Sequence, residues 1–356
     1  MAQRPHILII GGGLIGLASA RSCYERGARV TLAERQPVTG HGAGFSNSGM
    51  IHPSQAWPWV PGALDEADQR RAARLVAKLA KDSVPLLKQR LASLGLADIS
   101  RADGCYQIYG SQALRKTAVG RYEDIEVETR ATHMFERPAV FFPHDFSGSA
   151  YDWSRAESDA LKEDGVEIQT GAQVQLNKTG TQVQAHVNGR NIKADHIILC
   201  TGHKVNELLE PIGLNLPIKP VRGFALDFNI NDLDLSDLPQ APVMDAATHS
   251  ALTIFNGHLR LSGTLGELSA TPLWQRWCEL IPDMMSRLGS PQRIWSGNRP
   301  VSLLGRPIIS QSPLQGLWIN SGHGHMGWTL SMASAERIAD MIFDEAGDAG
   351  FAWPET

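Results

Sequence analysis

The residues Gly11-Gly12-Gly13-Leu14-Ile15-Gly16 stand between an apolar run, His6 to Ile10, and a stretch with helical spacing. Each outer glycine has a physical task. Gly11 permits a tight turn, Gly13 lets the backbone come against a pyrophosphate, and Gly16 lets helix and strand pack closely, with Leu14 and Ile15 opening the helix toward the phosphates. Glu34 ends the next apolar run, at the offset where an acid accepts hydrogen bonds from an adenosine ribose, which argues against a 2′-phosphate and hence against NADP. NAD and FAD share this fingerprint, so these residues alone leave the dinucleotide open.

Further along, Arg299 in Gly297-Asn-Arg-Pro300 offers a planar guanidinium that can grip a carboxylate through two parallel hydrogen bonds, or else make a structural ion pair or helix-end contact. The turn Ser321-Gly-His-Gly-His-Met-Gly-Trp328 precedes a last helical stretch, whose dipole and free N–H groups favour negative charge beside Gly322, Gly324, Met326 and Gly327. His323 and His325 in that turn can bond a ligand ring or merely cap backbone groups. His52 lies in a long loop, where it either meets a ligand or stands solvated.

These motifs together resemble the D-amino acid oxidase superfamily, and most nearly its bacterial D-amino acid dehydrogenases. Arg35 follows Glu34, and the loop Ala43 to Ile51, continuing to Pro53 and Ala56-Trp-Pro58, looks like the family's second FAD-contacting segment, with Asn47, Ser48, Gly49 and Met50 at its centre. Val221-Arg-Gly-Phe224 resembles a Pro-Val-Lys-Gly segment, Trp295-Ser-Gly-Asn-Arg-Pro300 a Gly-Leu-Arg-Pro segment, and the Ser321 to Trp328 turn the C-terminal flavin turn. Ser302-Leu-Leu-Gly305 stands where the family often carries an acid.

The resemblance implies FAD, with Thr201 and Gly202 passing near it and Val174 beside the adenine, although Thr201 and Gly202 are also ordinary turn formers. No cysteine follows Cys278, so the FAD is expected to be non-covalent. It further implies Arg299 as the carboxylate clamp, with His52 and His325 as candidate catalytic companions that touch substrate or flavin. The implied reaction is oxidative deamination of D-amino acids to 2-oxo acids and ammonia, by hydride transfer from Cα to flavin N5. Two alternatives stay open: a secondary-amine oxidase or dehydrogenase of the sarcosine, proline or opine type, and the flavin subunit of a multi-subunit dehydrogenase.

To position these residues the chain needs a strand at His6–Ile10, a helix at Leu14–Arg26 and a strand at Ala28–Glu34, joined as a right-handed crossover in a parallel sheet. Residues 36–62 read as loop, and Ala63 to Leu94 as a helix broken or kinked at Pro85. A short helix at Ala156–Asp164 leads to a strand at Val166–Thr170, a β-meander follows through Ala194, and His196–Cys200 is a buried strand. Leu216 to Leu303 alternates in short runs, which predicts an antiparallel sheet. Leu317–Asn320 is a strand and Trp328–Glu345 the terminal helix. The expected architecture is α/β: a Rossmann-like FAD-binding domain from residues 1–80, 145–215 and 305–356, with a mainly antiparallel β substrate-binding domain from 81–144 and 216–304.

Composition narrows the class further. The 356 residues are 42% hydrophobic and 20% charged, as in ordinary globular chains, and the formal net charge of -4 gives no reason to expect nucleic acid. The four cysteines form no CxxC pair, so neither a zinc site nor a disulfide framework is signalled. The first apolar run is too short for a signal peptide or a span, which places the protein in the cytoplasm and leaves peripheral attachment to the inner face of a membrane open. The expected partners are a small amino acid or amine and an electron acceptor: oxygen, a quinone or a partner protein.

Overall fold

The structure is a computed structural model that describes residues 4–45, 47–59, 64–97, 103–231, 233–234, 238–255, 257–263, 268–343 and 349–354. Ser46, the loop end at 60–62, Ala63 and the expected helix end at Asp344 and Glu345 lie outside the described residues.

Because Ile7 to Ile10 are apolar at every position, the strand His6–Ile10 is buried on both faces and takes the middle of a parallel sheet, with the His6 ring satisfied by the Lys193 carbonyl and the Thr31 hydroxyl. Ile7 and Ile9 point to one core, Leu8 and Ile10 to another. The six strands run Ile308–Gln311, Leu317–Ser321, His196–Leu199, His6–Ile10, Arg29–Ala33 and Glu167–Gln169, all parallel except the first, which is antiparallel to its neighbour. Helices Leu14–Glu25, Glu66–Ser93, Ala150–Glu163 and Gly327–Phe343 contribute to the core on the first face. The meander Val174–Thr179, Gln182–Val187, Arg190–Ile192 contributes to the second.

The helix Glu66–Ser93 runs through Pro85 uninterrupted, contrary to a break there. Its small residues Ala73, Ala77 and Ala80 share a core with the terminal helix, and Arg90 joins Arg21 on the fully buried Glu157, so tertiary packing outweighs the one backbone bond that proline removes. The helix Ala150–Glu163 starts earlier than its apolar spacing suggests, because the Ser149 hydroxyl caps it by accepting from the Asp152 N–H at 3.1 Å.

The second sheet has eight strands in the order Arg293–Ser302, Ile218–Asn229, His258–Gly263, Ser250–Phe255, Val243–Asp245, Cys105–Ile108, Arg137–Phe142, Arg130–Met134. It is antiparallel as expected except between Val243–Asp245 and Cys105–Ile108. Two helices, Thr271–Leu280 and Pro282–Leu288, interrupt the stretch read as strands alone and bury Leu273, Trp277, Leu280 and Met285 in this sheet's core. Spacings of four and three between those apolar residues, with a proline at each helix start, were the signal for them.

Candidate active site

Two cavities meet between the sheets. The larger, a cleft of about 550 Å³, is lined by Gly11, Gly13, Glu34, Val174, Thr201 and Gly202, and on its far side by Arg299, Gly324 and His325. The smaller, about 50 Å³, is lined by His52, Gln55, Trp59, Met244 and His249 among others. Asn47, Arg299, His325 and Trp328 line both.

Each glycine of the first turn acts differently. Gly11 has φ +105° and sits so close to the Cys200 carbonyl that a Cβ would stand 2.5 Å from its oxygen. Gly16 faces the Gly11 carbonyl and would overlap it, so its role is helix–strand packing rather than cleft lining. At Gly13 a Cβ would meet no protein atom within 4 Å: the space it would fill belongs to the cleft. Gly13 caps its helix without a side-chain hydrogen bond, which leaves the first N–H groups open to an anion. Glu34 accepts from the Gly12 N–H at 2.6 Å and the Gln36 N–H at 2.7 Å, and its two oxygens keep lone pairs for hydroxyl donors. Arg35 pairs with Glu207 at the exposed edge. The Thr201 hydroxyl is buried without a hydrogen-bond partner among the described residues. Open space at a helix N-terminus, an acid just past the second strand and a buried hydroxyl without a partner among the described residues fit an extended dinucleotide.

Arg299 lies on the edge strand of the second sheet, and the Gly–His turn of the first sheet is stitched to that strand. The Gly324 N–H donates to the Pro300 carbonyl at 2.8 Å, and His323 bridges to Val301. No carboxylate lies within ion-pair reach of Arg299 among the described residues, and its Nη1 is buried without a hydrogen bond. Burial lowers its pKa to about 10, so it remains a cation at neutral pH.

The histidines beside it are neutral. Burial, then the Arg299 charge, lowers His52 to about 4, and burial lowers His325 well below the usual imidazole value, with His52, Arg299 and His249 adding to it. His325 donates from Nε2 to the Gln55 carbonyl at 2.8 Å, an oxygen that can only accept, which leaves Nδ1 as the ring's acceptor. Its ring stacks on Trp59 at 3.7 Å and 6°, and His52 and His249 extend the column at either end. The loop that carries Asn47 is pinned to the second sheet by Arg260, which binds the Asn47 carbonyl at 2.9 Å while paired with Asp227.

Several sequence expectations are redistributed. Ser48 and Met50 line the small cavity rather than the cleft, and Gly49 and Met326 line neither, Met326 being buried in the core. Gly322 and Gly327 hold the turn, Gly327 at the cleft wall. His323 bonds the Ser334 side-chain hydroxyl at 3.0 Å rather than capping backbone groups, and the residue also borders the cleft. His52 is 5% exposed, so it is no solvated loop residue. Trp59, Gln55, Gln107 and His249 were missed: they come from a loop, a 3-10 turn, a strand and a hairpin turn far apart in the chain, and no local pattern marks them.

A glycine turn and acid on the first sheet, a second glycine turn at the last helix, and an unpaired arginine where the two cavities meet define a flavin-type oxidoreductase. The chain belongs to the FAD dependent oxidoreductase (DAO) family, whose pattern spans residues 6–341, and FAD is its cofactor. It is similar to the D-amino acid dehydrogenase of Xylella fastidiosa (strain M12), 27% identical over 399 residues that cover 94% of this chain and 91% of that one. Its fold is similar to iminodiacetate oxidase from Chelativorans sp. BNC1, with TM-score 0.80 and 18% identity over 97% of this chain and 98% of that one. Glycine oxidase from Geobacillus kaustophilus gives TM-score 0.80 and 20% identity over 98% and 96%. The protein is thus an FAD-dependent oxidoreductase of amino acids or amines. Among the described residues no helix is long and apolar enough to cross a membrane.

Proposed function

We propose that the chain oxidises small, apolar D-amino acids at Cα, and that Arg299 holds their carboxylate. The observation that carries this is a buried guanidinium with no carboxylate partner among the described residues, at the junction of the FAD cleft and a cavity of only about 50 Å³. A cation without a protein counter-ion in a desolvated place is complemented best by a ligand anion. The small volume, bounded by Trp59, Met50 and Met244, suits a short side chain.

Gly11, Gly13, Glu34, Thr201 and the Gly322 to Gly327 turn would hold FAD, which when bound supplies the two-electron acceptor. Arg299 fixes one substituent of the substrate and the loop at Asn47 to His52 another, which leaves one orientation for the Cα–H bond. His52 and His325, being neutral, can accept an amine N–H without competing with Arg299 for the carboxylate. The imine that leaves is hydrolysed by water to a 2-oxo acid and ammonia. Residues 1–80, 145–215 and 305–356 are taken as the FAD-binding domain and 81–144 with 216–304 as the substrate domain, in keeping with the two sheets; the cytoplasm is the proposed location.

A second reading, oxidation of glycine-like or N-substituted amino acids, is favoured by the same small cavity and by the fold shared with iminodiacetate oxidase, whose named substrate is a secondary amine. Anaerobic bleaching of the flavin separates the two. Reduction by D-alanine and not by L-alanine supports the first; reduction only by glycine or N-methylglycine replaces it with the second.

A further inference from the structure

Asp145 lies in the turn between Arg137–Phe142 and Phe146–Ser147, 1% exposed, and lines neither cavity. Its carboxylate accepts the Ser54 N–H at 3.2 Å and the Ser54 hydroxyl at 2.6 Å. Ser54 is the middle residue of the 3-10 turn Pro53–Gln55, and the carbonyl of the last residue in that turn accepts the Nε2–H of His325. The Gln55 amide also donates to Ser54 Oγ at 3.0 Å and to Gln107 Oε1 at 3.2 Å, and both glutamines line the small cavity. Hydrogen bonds and the covalent 3-10 turn therefore link a buried acid to a ring at the junction of the two cavities: the acid holds Ser54, Ser54 Oγ receives the Gln55 side chain, and the main-chain carbonyl of Gln55 receives His325.

We propose that Asp145 is a positioning residue for this site: through Ser54 and the Gln55 turn it sets the ring of His325, and its charge decides which way its hydrogen bond to the Ser54 hydroxyl runs. Ionised, the carboxylate only accepts, so the Ser54 hydroxyl points to Asp145 and its oxygen is free to receive Gln55. Protonated, one oxygen must donate, and Ser54 Oγ is its nearest acceptor. Ser54 then receives two donors and its own hydrogen loses its partner, an arrangement that loosens the Gln55 amide and, with it, the carbonyl under His325.

The surroundings make Asp145 titrate where this matters. Burial raises it to about 7, against the pull of the two Ser54 hydrogen bonds. The groups beside it, the Cys105 thiol and the Tyr122 hydroxyl, are both raised by burial and stay neutral. Tyr109, bonded to Tyr122, is raised as well. Lys88, over the neighbouring Phe146 ring, is paired with Asp103, and His144 faces Glu128 at the surface.

The inference rests on the reading that substrate reacts beside His325, but its test needs no substrate. In holoprotein labelled with ¹⁵N-histidine, the Nε2–H signal of His325, assigned by its loss in His325→Gln, is followed through neutral pH. In the wild type it should shift with a midpoint near that of Asp145, and in Asp145→Asn it should not shift while FAD content is retained. Ser54→Ala, which keeps the acid and the backbone N–H, should reduce the shift and serves if Asp145→Asn does not fold. An unmoved signal in the wild type, or an unchanged midpoint in the variant, overturns the proposal. Failure of every amino acid to bleach the flavin would instead overturn the substrate reading and leave this result standing.

Discussion

Gly223 and the guanidinium of Arg299 occupy the same space across two paired strands: a Cβ on residue 223 would stand 2.8 Å from Arg299 Cζ and closer still to Nη1. The glycine in Val221-Arg-Gly-Phe224 is therefore the floor on which the arginine lies, which accounts for two motifs at once. Gly223→Ala should push the flexible guanidinium aside rather than disrupt the sheet. The expected outcome is normal FAD content and melting with kcat/KM lowered by at least about tenfold, since a misplaced charged hydrogen bond costs roughly 1.5–3 kcal/mol. Steady-state kinetics beside a flavin absorbance spectrum decide it.

Removing the guanidinium itself tests the clamp. Arg299→Ala should lose about 2 kcal/mol or more of transition-state binding, more than about tenfold in kcat/KM. Arg299→Lys should be nearly as poor, because an ammonium cannot supply the planar fork. Wild-type kcat/KM in either variant would show that the carboxylate is held elsewhere.

Legibility followed the range of the forces involved. The first crossover was readable because a buried parallel strand, a glycine turn and a helix of small and apolar residues are all local, and Gly11, Gly13 and Glu34 sit where the spacing puts them. Arg299 was visible only through its motif; that no carboxylate among the described residues pairs with it, while its guanidinium lies over the Trp59 ring at 6.0 Å, follows from the second sheet's edge and a distant loop, not from neighbours in sequence. Trp59 and His249 meet over His325 because a loop and a hairpin converge, and Asp145 is linked to the cavity lining through Ser54 and Gln55, which lie 91 and 90 positions before it. Helix Thr271–Leu280 was missed for another reason: in a stretch of short apolar runs, the strand period overshadowed its three- and four-residue spacing.

The contrast between two glycines tests the cleft. Gly13→Val places its Cβ where no protein atom lies within 4 Å and sends its methyls toward the cleft, so the fold should persist while FAD is lost. Gly16→Ala drives a methyl into the Gly11 carbonyl, so it should destabilise the whole domain before affinity is in question. Thermal melts of apoprotein with FAD titration distinguish them: a Gly13→Val protein that still binds FAD tightly would remove the pyrophosphate from this turn.

Buried histidines should make the fold sensitive to acid. His52 is lowered to about 4 and His323 to about 3, chiefly by burial, and His325 is lowered as well, whereas all three regain the ordinary value near 6.5 when unfolded. Between that value and the folded ones the unfolded chain binds protons that the folded chain does not. Stability is therefore intact above about 6.5 and falls as pH drops toward 4 and below. Asp145 opposes this: its folded value near 7 exceeds the unfolded 3.8, so its contribution is full below 3.8 and lost as pH rises through 7. At about 1.4 kcal/mol per unit, His52 and His323 can each cost on the order of 3 kcal/mol and Asp145 can return a similar amount, so the two histidines, with His325 acting in the same direction, outweigh one acid. His323→Asn, which keeps a polar contact for Ser334, should flatten the acid loss, and Asp145→Asn should steepen it while adding stability above neutral pH. Urea unfolding of the holoprotein at stepped pH measures both slopes, and a slope unchanged in His323→Asn would mean that this histidine is protonated in the native state as readily as in the unfolded one.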